Sequence, residues 1–160
     1  MYSFYIIIVV ILITAIGFWI FFNYKPKIQK KTDSLYTDAL NAMLKTDKRR
    51  AVSLLRDVVK QDSDHIDAYL QLGNILRDEE PQRALKIHQT LTVRPNLNNS
   101  TKVDIYKSLA MDYEVIGDLT KARKEAEQIL IIDKQNEWGI TFLLNIGEKI
   151  EDWDYAADKA

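Results

Sequence analysis

The sequence contains no cysteine, which excludes disulfide bonds, thiolate metal sites and cysteine nucleophiles within this chain. It has only two histidines, His65 and His88, and they lack the spacing of a zinc site. Phosphate-binding glycine loops, dinucleotide-binding glycine patterns and the G-x-S-x-G nucleophile motif are also missing. These absences argue against an enzyme, and we expect no catalytic residue, bound metal, cofactor or small-molecule substrate.

The sequence has no excess of basic residues and no strand-like alternation of any length. All 23 acidic residues follow Thr32, whereas four of the 22 basic residues precede it, so residues 33–160 carry a net charge of −5. Neutralising nucleic-acid phosphates requires a basic stripe, and this balance therefore argues against a nucleic-acid-binding face. We expect an all-α protein that binds no nucleic acid.

Helical periodicity is what the sequence does have. Between Tyr69 and Leu91, apolar residues recur on one helical face, and Pro81 marks the start of a second helix. Gly73 lies mid-helix, where glycine costs about 1 kcal/mol relative to alanine, so we expect the second helix to approach it closely at Ala84. Large and small residues at these spacings are typical of a tetratricopeptide repeat.

The same helical unit recurs along the chain. The small residues of successive second helices are separated by 33, 38 and 34 residues, close to the 34-residue period of tetratricopeptide repeats. We therefore predict a solenoid over residues 33–160, with three full repeats and a partial fourth; a generic helical bundle is the alternative. The predicted structural positions of these repeats are Ala51, Gly73, Ala84, Ala110, Ala122 and Ala156.

Capping residues predict where the helices begin and end. The first repeat is expected to open with a helix from Asp33 to Leu44. The predicted N-caps are Asp47, either Asp62 or Asp64, and Asp118. Thr101 and Asp104 are predicted to form a capping box at the start of a helix, and Gly117 is predicted to end that helix. His88 occupies a position of the second helix that normally packs inward, and we expect it to be a hydrogen-bonded interior histidine.

The longest apolar run lies at the N-terminus. Phe4 to Phe22 is uncharged over nineteen residues, about 28 Å as a helix, and residues 1–24 are therefore predicted to form a transmembrane anchor. A cleaved signal peptide is the alternative, but no lysine or arginine precedes the run. Pro26 is expected to end this helix and begin a basic tether over residues 25–32. Its four lysines place the remaining chain in the cytoplasm and the N-terminus outside.

The first helix of each repeat should line a concave binding surface. The candidate groove residues on these helices are Tyr36, Leu70, Asn74, Arg77, Lys107, Met111, Glu114 and Asn145. Asn74 and Arg77 together suit a carboxylate or the backbone carbonyls of a bound protein segment. The alternative is that both side chains are solvated or bonded within the groove.

Two stretches, Leu72 to Arg77 and Arg83 to Leu91, resemble the lipopolysaccharide assembly protein B family of Gram-negative bacteria. Asp112-Tyr113 followed by Gly117-Asp118-Leu119 is also similar to that family. The resemblance implies an inner-membrane adaptor with cytoplasmic repeats, which presents the lipid A deacetylase to a membrane-bound AAA+ protease. Another membrane-tethered repeat scaffold, for envelope, secretion or pilus assembly, is the alternative.

The family continues into further repeats and a C-terminal rubredoxin-like module that holds a metal through paired C-x-x-C motifs. This sequence stops at Ala160, inside the second helix of its fourth repeat. The resemblance therefore implies a fragment or a truncated relative, with the metal module outside the chain.

Overall fold

The computed structural model describes residues 2–150, except for the side chains of residues 3, 4 and 22–30. Over this range the chain forms seven α-helices and no β-strand, which confirms the all-α prediction. The helices are α1 (Tyr2–Leu44), α2 (Lys48–Gln61), α3 (Ile66–Leu76), α4 (Pro81–Thr92), α5 (Asn99–Ile116), α6 (Leu119–Ile132) and α7 (Glu137–Lys149). They fall into two compact units that divide between Asp64 and His65.

The first unit is the pair formed by α1 and α2. A three-residue connection turns the chain back on itself, with Thr46 at a positive φ of 58°. The buried side of α2 consists of Ala51, Leu55 and Val58, and α1 buries alanines at positions 39 and 42. Because three of these side chains are alanines, the two helices can approach closely along this seam.

Helix α1 is longer than the sequence suggested. It runs unbroken from Tyr2 to Leu44, so the prediction that Pro26 ends a first helix is wrong. An interior proline costs about 3 kcal/mol, because it removes one backbone hydrogen bond and its ring crowds the preceding turn, but the helix continues on both sides of it. Within the described residues, no helix is long and apolar enough to cross a membrane.

The second unit is built from α3 to α7 around two apolar clusters. Leu70, Leu91, Ile105 and Leu109 join α3, α4 and α5. A larger cluster joins α5, α6 and α7, and its buried members are Ala110, Tyr113, Ala122, Ala126, Phe142, Leu143 and Ile146. Helix α5 contributes to both clusters, so it is the element that connects the two halves of this unit. The predicted repeat position Ala156 lies outside the described residues.

Four predicted helix boundaries are confirmed. Asp47 accepts a hydrogen bond from the Arg50 amide, and Pro81 is the first residue of α4. Gly117 ends α5 in the left-handed conformation with a φ of 87°, which glycine adopts without strain. Asp118 caps α6, and the hydrogen bond from the Lys121 side chain lowers the pKa of its carboxyl. This cap therefore stays ionised at lower pH than an ordinary aspartate.

Two predicted caps are wrong. His65 caps α3 by accepting from the Ala68 amide at 3.3 Å, whereas Asp62 caps the C-terminus of α2. Asn98 caps α5 by accepting from the Thr101 amide at 2.8 Å. Asparagine is a better N-cap than threonine, so α5 begins three residues earlier than the predicted capping box.

Gly73 is a close-approach position, but its neighbour is not the predicted one. A Cβ atom at Gly73 would lie 2.3 Å from Nε2 of His88, a distance that real Cβ atoms do not reach. Ala84 is fully buried in α4, one turn before the histidine. The glycine in α3 is therefore required because the imidazole ring of His88 occupies the space that a side chain would fill.

We predict that Gly73→Ala lowers the free energy of unfolding by about 1–3 kcal/mol, because the added methyl overpacks against His88. Urea denaturation of the detergent-solubilised chain, followed by circular dichroism, measures this change. Gly17→Ala is the matched control, since nothing lies within 4 Å of a Cβ at that position. Equal midpoints for the two variants would contradict the close approach.

Candidate functional site: a buried polar network between α3, α4 and α5

Three ionisable side chains are buried together in the second unit. Asp112 and His88 are fully buried, and the side chain of Arg77 is 9% exposed. Charged groups are rarely buried unless they are paired, because removing an ion from water costs several kcal/mol. The packing of these helices therefore depends on how the three groups satisfy one another.

The Asp112 carboxylate is the centre of the network. Its Oδ1 accepts a hydrogen bond from Nε of Arg77 at 2.6 Å, and its Oδ2 lies 2.5 Å from Nδ1 of His88. One carboxylate on α5 thus bridges a residue at the end of α3 and a residue in the middle of α4. A single acidic side chain therefore connects the helical pair α3–α4 to α5, the first helix of the next pair.

The remaining polar atoms of the network also find partners. Nη2 of Arg77 donates to Oδ1 of Asn74 at 2.6 Å and to the backbone oxygen of Ser108 at 3.3 Å. Nε2 of His88 lies 3.2 Å from the backbone oxygen of Leu70. Among the described residues, no buried side-chain nitrogen or oxygen lacks a hydrogen-bond partner. The network is complete, which is the condition under which buried polar groups fix one arrangement of a core.

Local sequence explains how the helices bring these groups together. Asn74 and Arg77 are three residues apart, and therefore lie on one face at the C-terminal end of α3. Ser108 and Asp112 are four residues apart and lie on the face of α5 that meets them. The missing side chain of Gly73 leaves the space into which the imidazole fits.

The network cannot perform nucleophilic or acid–base catalysis as it stands. Its aspartate–histidine pair has no serine, threonine or cysteine nucleophile at the histidine, whose second nitrogen faces a backbone carbonyl. Both members of the pair are also inaccessible to solvent. The arrangement suits a structural clamp between repeats.

Two predicted groove residues are not at an open surface. Leu70 is 6% exposed and belongs to the apolar cluster of α3, α4 and α5. Arg77 faces the interior, contrary to the prediction, because Asp112 supplies a buried counter-charge that the sequence pattern did not reveal. Asn74 lies beside Arg77 and bonds to it, which agrees with the alternative of internal bonding.

Four other predicted groove residues lie on α5 and α7. Nζ of Lys107 lies 5.0 Å from the ring centroid of Trp138, and the Glu114 carboxylate pairs with Lys149. Met111 is half-buried against the α5–α6–α7 cluster, and Asn145 is exposed on α7. Tyr36 is half-buried in the first unit.

Sequence reasoning missed Asp112, Ser108, Trp138 and Lys149. The signal for Asp112 was its place three residues after Leu109 and directly before Tyr113, on the apolar side of α5. An acidic residue in such a stripe requires a buried cation. His88, which was predicted to be an interior hydrogen-bonded histidine, is confirmed in that position and supplies one of the partners.

No group of three histidine or acidic side chains in the described part of the chain is arranged to hold a metal ion. The first unit has an open depression of about 550 Å³, lined by Asp38, Asn41, Ala42, Lys45, Asp47 and Arg50. None of the predicted groove residues lines it.

The sequence is similar to lipopolysaccharide assembly protein B of two organisms. It is 32% identical to the Haemophilus influenzae protein over 144 residues, which cover 83% of this chain and 36% of that protein. It is 29% identical to the Escherichia coli K12 protein over 126 residues, or 78% of this chain and 32% of that protein. The predicted resemblance is therefore confirmed, and the chain spans about a third of the length of these relatives. No family model matches the sequence.

The structure is similar to solved repeat proteins. A tetratricopeptide repeat protein from Parabacteroides merdae matches with a TM-score of 0.70 and 16% identity, over 81% of this chain and 51% of that one. MamA from Desulfovibrio magneticus RS-1, from residue 41 to its end, matches with a TM-score of 0.69 and 18% identity. That match covers 80% of this chain and 71% of the other. These likenesses show the tetratricopeptide-repeat fold.

We predict that Asp112→Ala lowers the free energy of unfolding by about 3–5 kcal/mol, because it leaves the buried Arg77 and His88 side chains without their shared acceptor. Asp104→Ala, an exposed aspartate on the same helix, is the control and should change it by less than about 0.5 kcal/mol. Urea denaturation measures both. Equal losses for the two variants would show that the network does not stabilise the fold.

Proposed function

We propose that this protein is a membrane-anchored tetratricopeptide-repeat adaptor in lipopolysaccharide assembly. In this role its repeats present the lipid A deacetylase to a membrane-bound AAA+ protease. The observation that carries the proposal is the 32% identity to lipopolysaccharide assembly protein B over 83% of the chain. The repeat fold supports it, because stacked helical pairs form extended surfaces that bind proteins.

A non-enzymatic role is consistent with the chemistry of the described residues. The buried ionisable side chains of Arg77, His88 and Asp112 already hydrogen-bond to one another and to neighbouring protein groups. Such a network rigidifies the repeats and leaves binding to side chains on the helix surfaces. The adaptor needs no cofactor in this chain.

The proposed anchor is the uncharged N-terminal run of α1, over residues 4–22. All described side chains from Tyr5 to Phe21 are exposed, and almost all of them are apolar. Exposing these seventeen consecutive, mostly apolar residues is unfavourable in water and favourable in the hydrocarbon layer of a membrane. The lysines that follow favour a bacterial inner-membrane location with the repeats in the cytoplasm.

The proposed partner-binding surface is the side of α5 and α7 that carries Lys107, Met111 and Glu114. Trp138 contributes an aromatic ring beneath Lys107, and aromatic residues are enriched where proteins bind one another. Glu114 and Lys149 close one end of this surface with an ion pair. An apolar centre between charged groups suits a segment that offers one large apolar side chain and flanking charges.

Deleting residues 1–24 should release the chain from membranes, because the deletion removes the apolar run and leaves the helical pairs intact. Membrane fractionation with and without carbonate washing measures the release. A deletion product that still requires detergent for extraction would contradict the anchor.

Lys107→Glu should weaken binding of the purified lipid A deacetylase about tenfold or more, since an acidic segment held at this surface would meet a like charge. Lys102→Glu makes the same change at an exposed position of α5 and is the control. Binding is measured by pull-down, with a thermal melt of each variant. A folded Lys107→Glu chain that binds like the control would remove this surface from the proposal.

A further inference from the structure

The two units carry net charges of opposite sign, and the net charge of −1 for the whole chain conceals this difference. The first unit contains ten basic and six acidic residues, a net charge of +4, whereas residues 65–160 contain 12 and 17, a net charge of −5. Much of the positive charge belongs to α2, which has five basic residues and one acidic residue, Asp57. The basic surface therefore lies on the helix that packs directly against α1.

The basic residues of α2 form a stripe on its outer side. Arg49, Arg56 and Lys60 are exposed and, with Ser53, follow the i, i+4, i+7, i+11 spacing of one helical face. This face is opposite to the buried side of the helix, which packs on α1. Asp57 is exposed on the neighbouring row. In the described part of the chain, none of the three cations is recorded in an ion pair.

The direction of α2 brings one end of the stripe close to the apolar run. Because a three-residue connection reverses the chain after α1, Lys60 lies level with about residue 32 and Arg49 with about residue 43. At 1.5 Å per residue, Lys60 is then about 15 Å along α1 from Phe22, and Arg49 is about 31 Å from it. Arg56 lies between them, at about 21 Å.

We propose that the C-terminal half of α2 binds the anionic headgroups of the membrane that holds the apolar run. The inference rests on the proposed anchor. Headgroups extend about 5–7 Å beyond the hydrocarbon, and charges interact over a Debye length of about 8 Å at physiological salt. Together these lengths give a reach of about 13–15 Å, so Lys60 at about 15 Å lies at its limit, Arg56 at about 21 Å contributes weakly, and Arg49 at about 31 Å lies well outside it. Basic residues at this distance attract anionic lipid, so α2 gives the first helical pair a second contact with the bilayer.

The test uses the full chain in vesicles of phosphatidylcholine, with or without phosphatidylglycerol. Gln61→Cys, next to Lys60, provides the only thiol in the chain and carries a fluorophore. A quencher attached to lipid headgroups then reports the approach of α2. We expect at least twofold stronger quenching in the phosphatidylglycerol vesicles, and loss of this difference at about 1 M salt, where the Debye length is about 3 Å.

Charge reversals on the same helix provide the matched comparison. Lys60→Glu with Arg56→Glu should abolish the lipid-dependent difference, whereas Arg49→Glu should retain most of it because that residue lies beyond reach of the headgroups. Lys102→Glu in the second unit should have no effect. Equal quenching in the two kinds of vesicle, or equal losses from Arg49→Glu and Lys60→Glu, would overturn the proposal.

Vesicle flotation distinguishes headgroup binding by α2 from membrane insertion of the apolar run. An inserted apolar run carries every variant upward with both kinds of vesicle, whatever the quenching shows. Flotation only with phosphatidylglycerol, dependent on Arg56 and Lys60, would refute the anchor and support headgroup binding. Flotation with neither kind would refute both. An RNA oligonucleotide is added as a competitor in the same assay. If it changes the fluorescence of the label while quenching is the same in both kinds of vesicle, the stripe binds nucleic acid and the proposal is overturned.

Discussion

The second unit depends on the hydrogen bonds between one buried carboxylate and two partners, an arginine and a histidine. Asp112 on α5 holds Arg77 at the end of α3 and His88 in α4, and all three are shielded from water. Removing the carboxylate would leave the buried Arg77 guanidinium without its counter-charge, which proteins tolerate poorly. Repeat proteins are otherwise held together by apolar contacts between neighbours, and this network adds a directional contact across one repeat boundary.

Other features of the second unit follow from this contact. Gly73 must lack a side chain because His88 lies against the helix backbone at that point. Asn74 and Ser108 complete the hydrogen bonds of Arg77, and thus cannot serve as freely available groups for a partner. The proposed partner-binding surface therefore does not use these groups and lies on the side of α5 and α7 around Lys107 and Trp138.

The helical repeats could be predicted from the sequence because helix periodicity and small-residue spacing are local properties. The network could not, because Arg77 and Asp112 are 35 residues apart and only tertiary packing makes them neighbours. Counting repeat positions therefore assigned Arg77 to an open surface. The basic stripe of α2 was likewise hidden, since the six basic residues between positions 33 and 64 are balanced by six acidic ones. The cap of α5 was predicted at Thr101 and lies at Asn98, because both residue types can cap a helix and they are only three residues apart.

The central claim is that Asp112 couples the second and third helical pairs into one cooperative unit. Native-state hydrogen exchange in increasing urea measures this coupling directly, since it gives an opening free energy for each backbone amide. We expect amides in α3, α4 and α5 to converge on one shared opening, and this convergence to be lost in Asp112→Ala. If α3 and α4 open independently of α5 in the unmodified chain, the network does not couple the repeats.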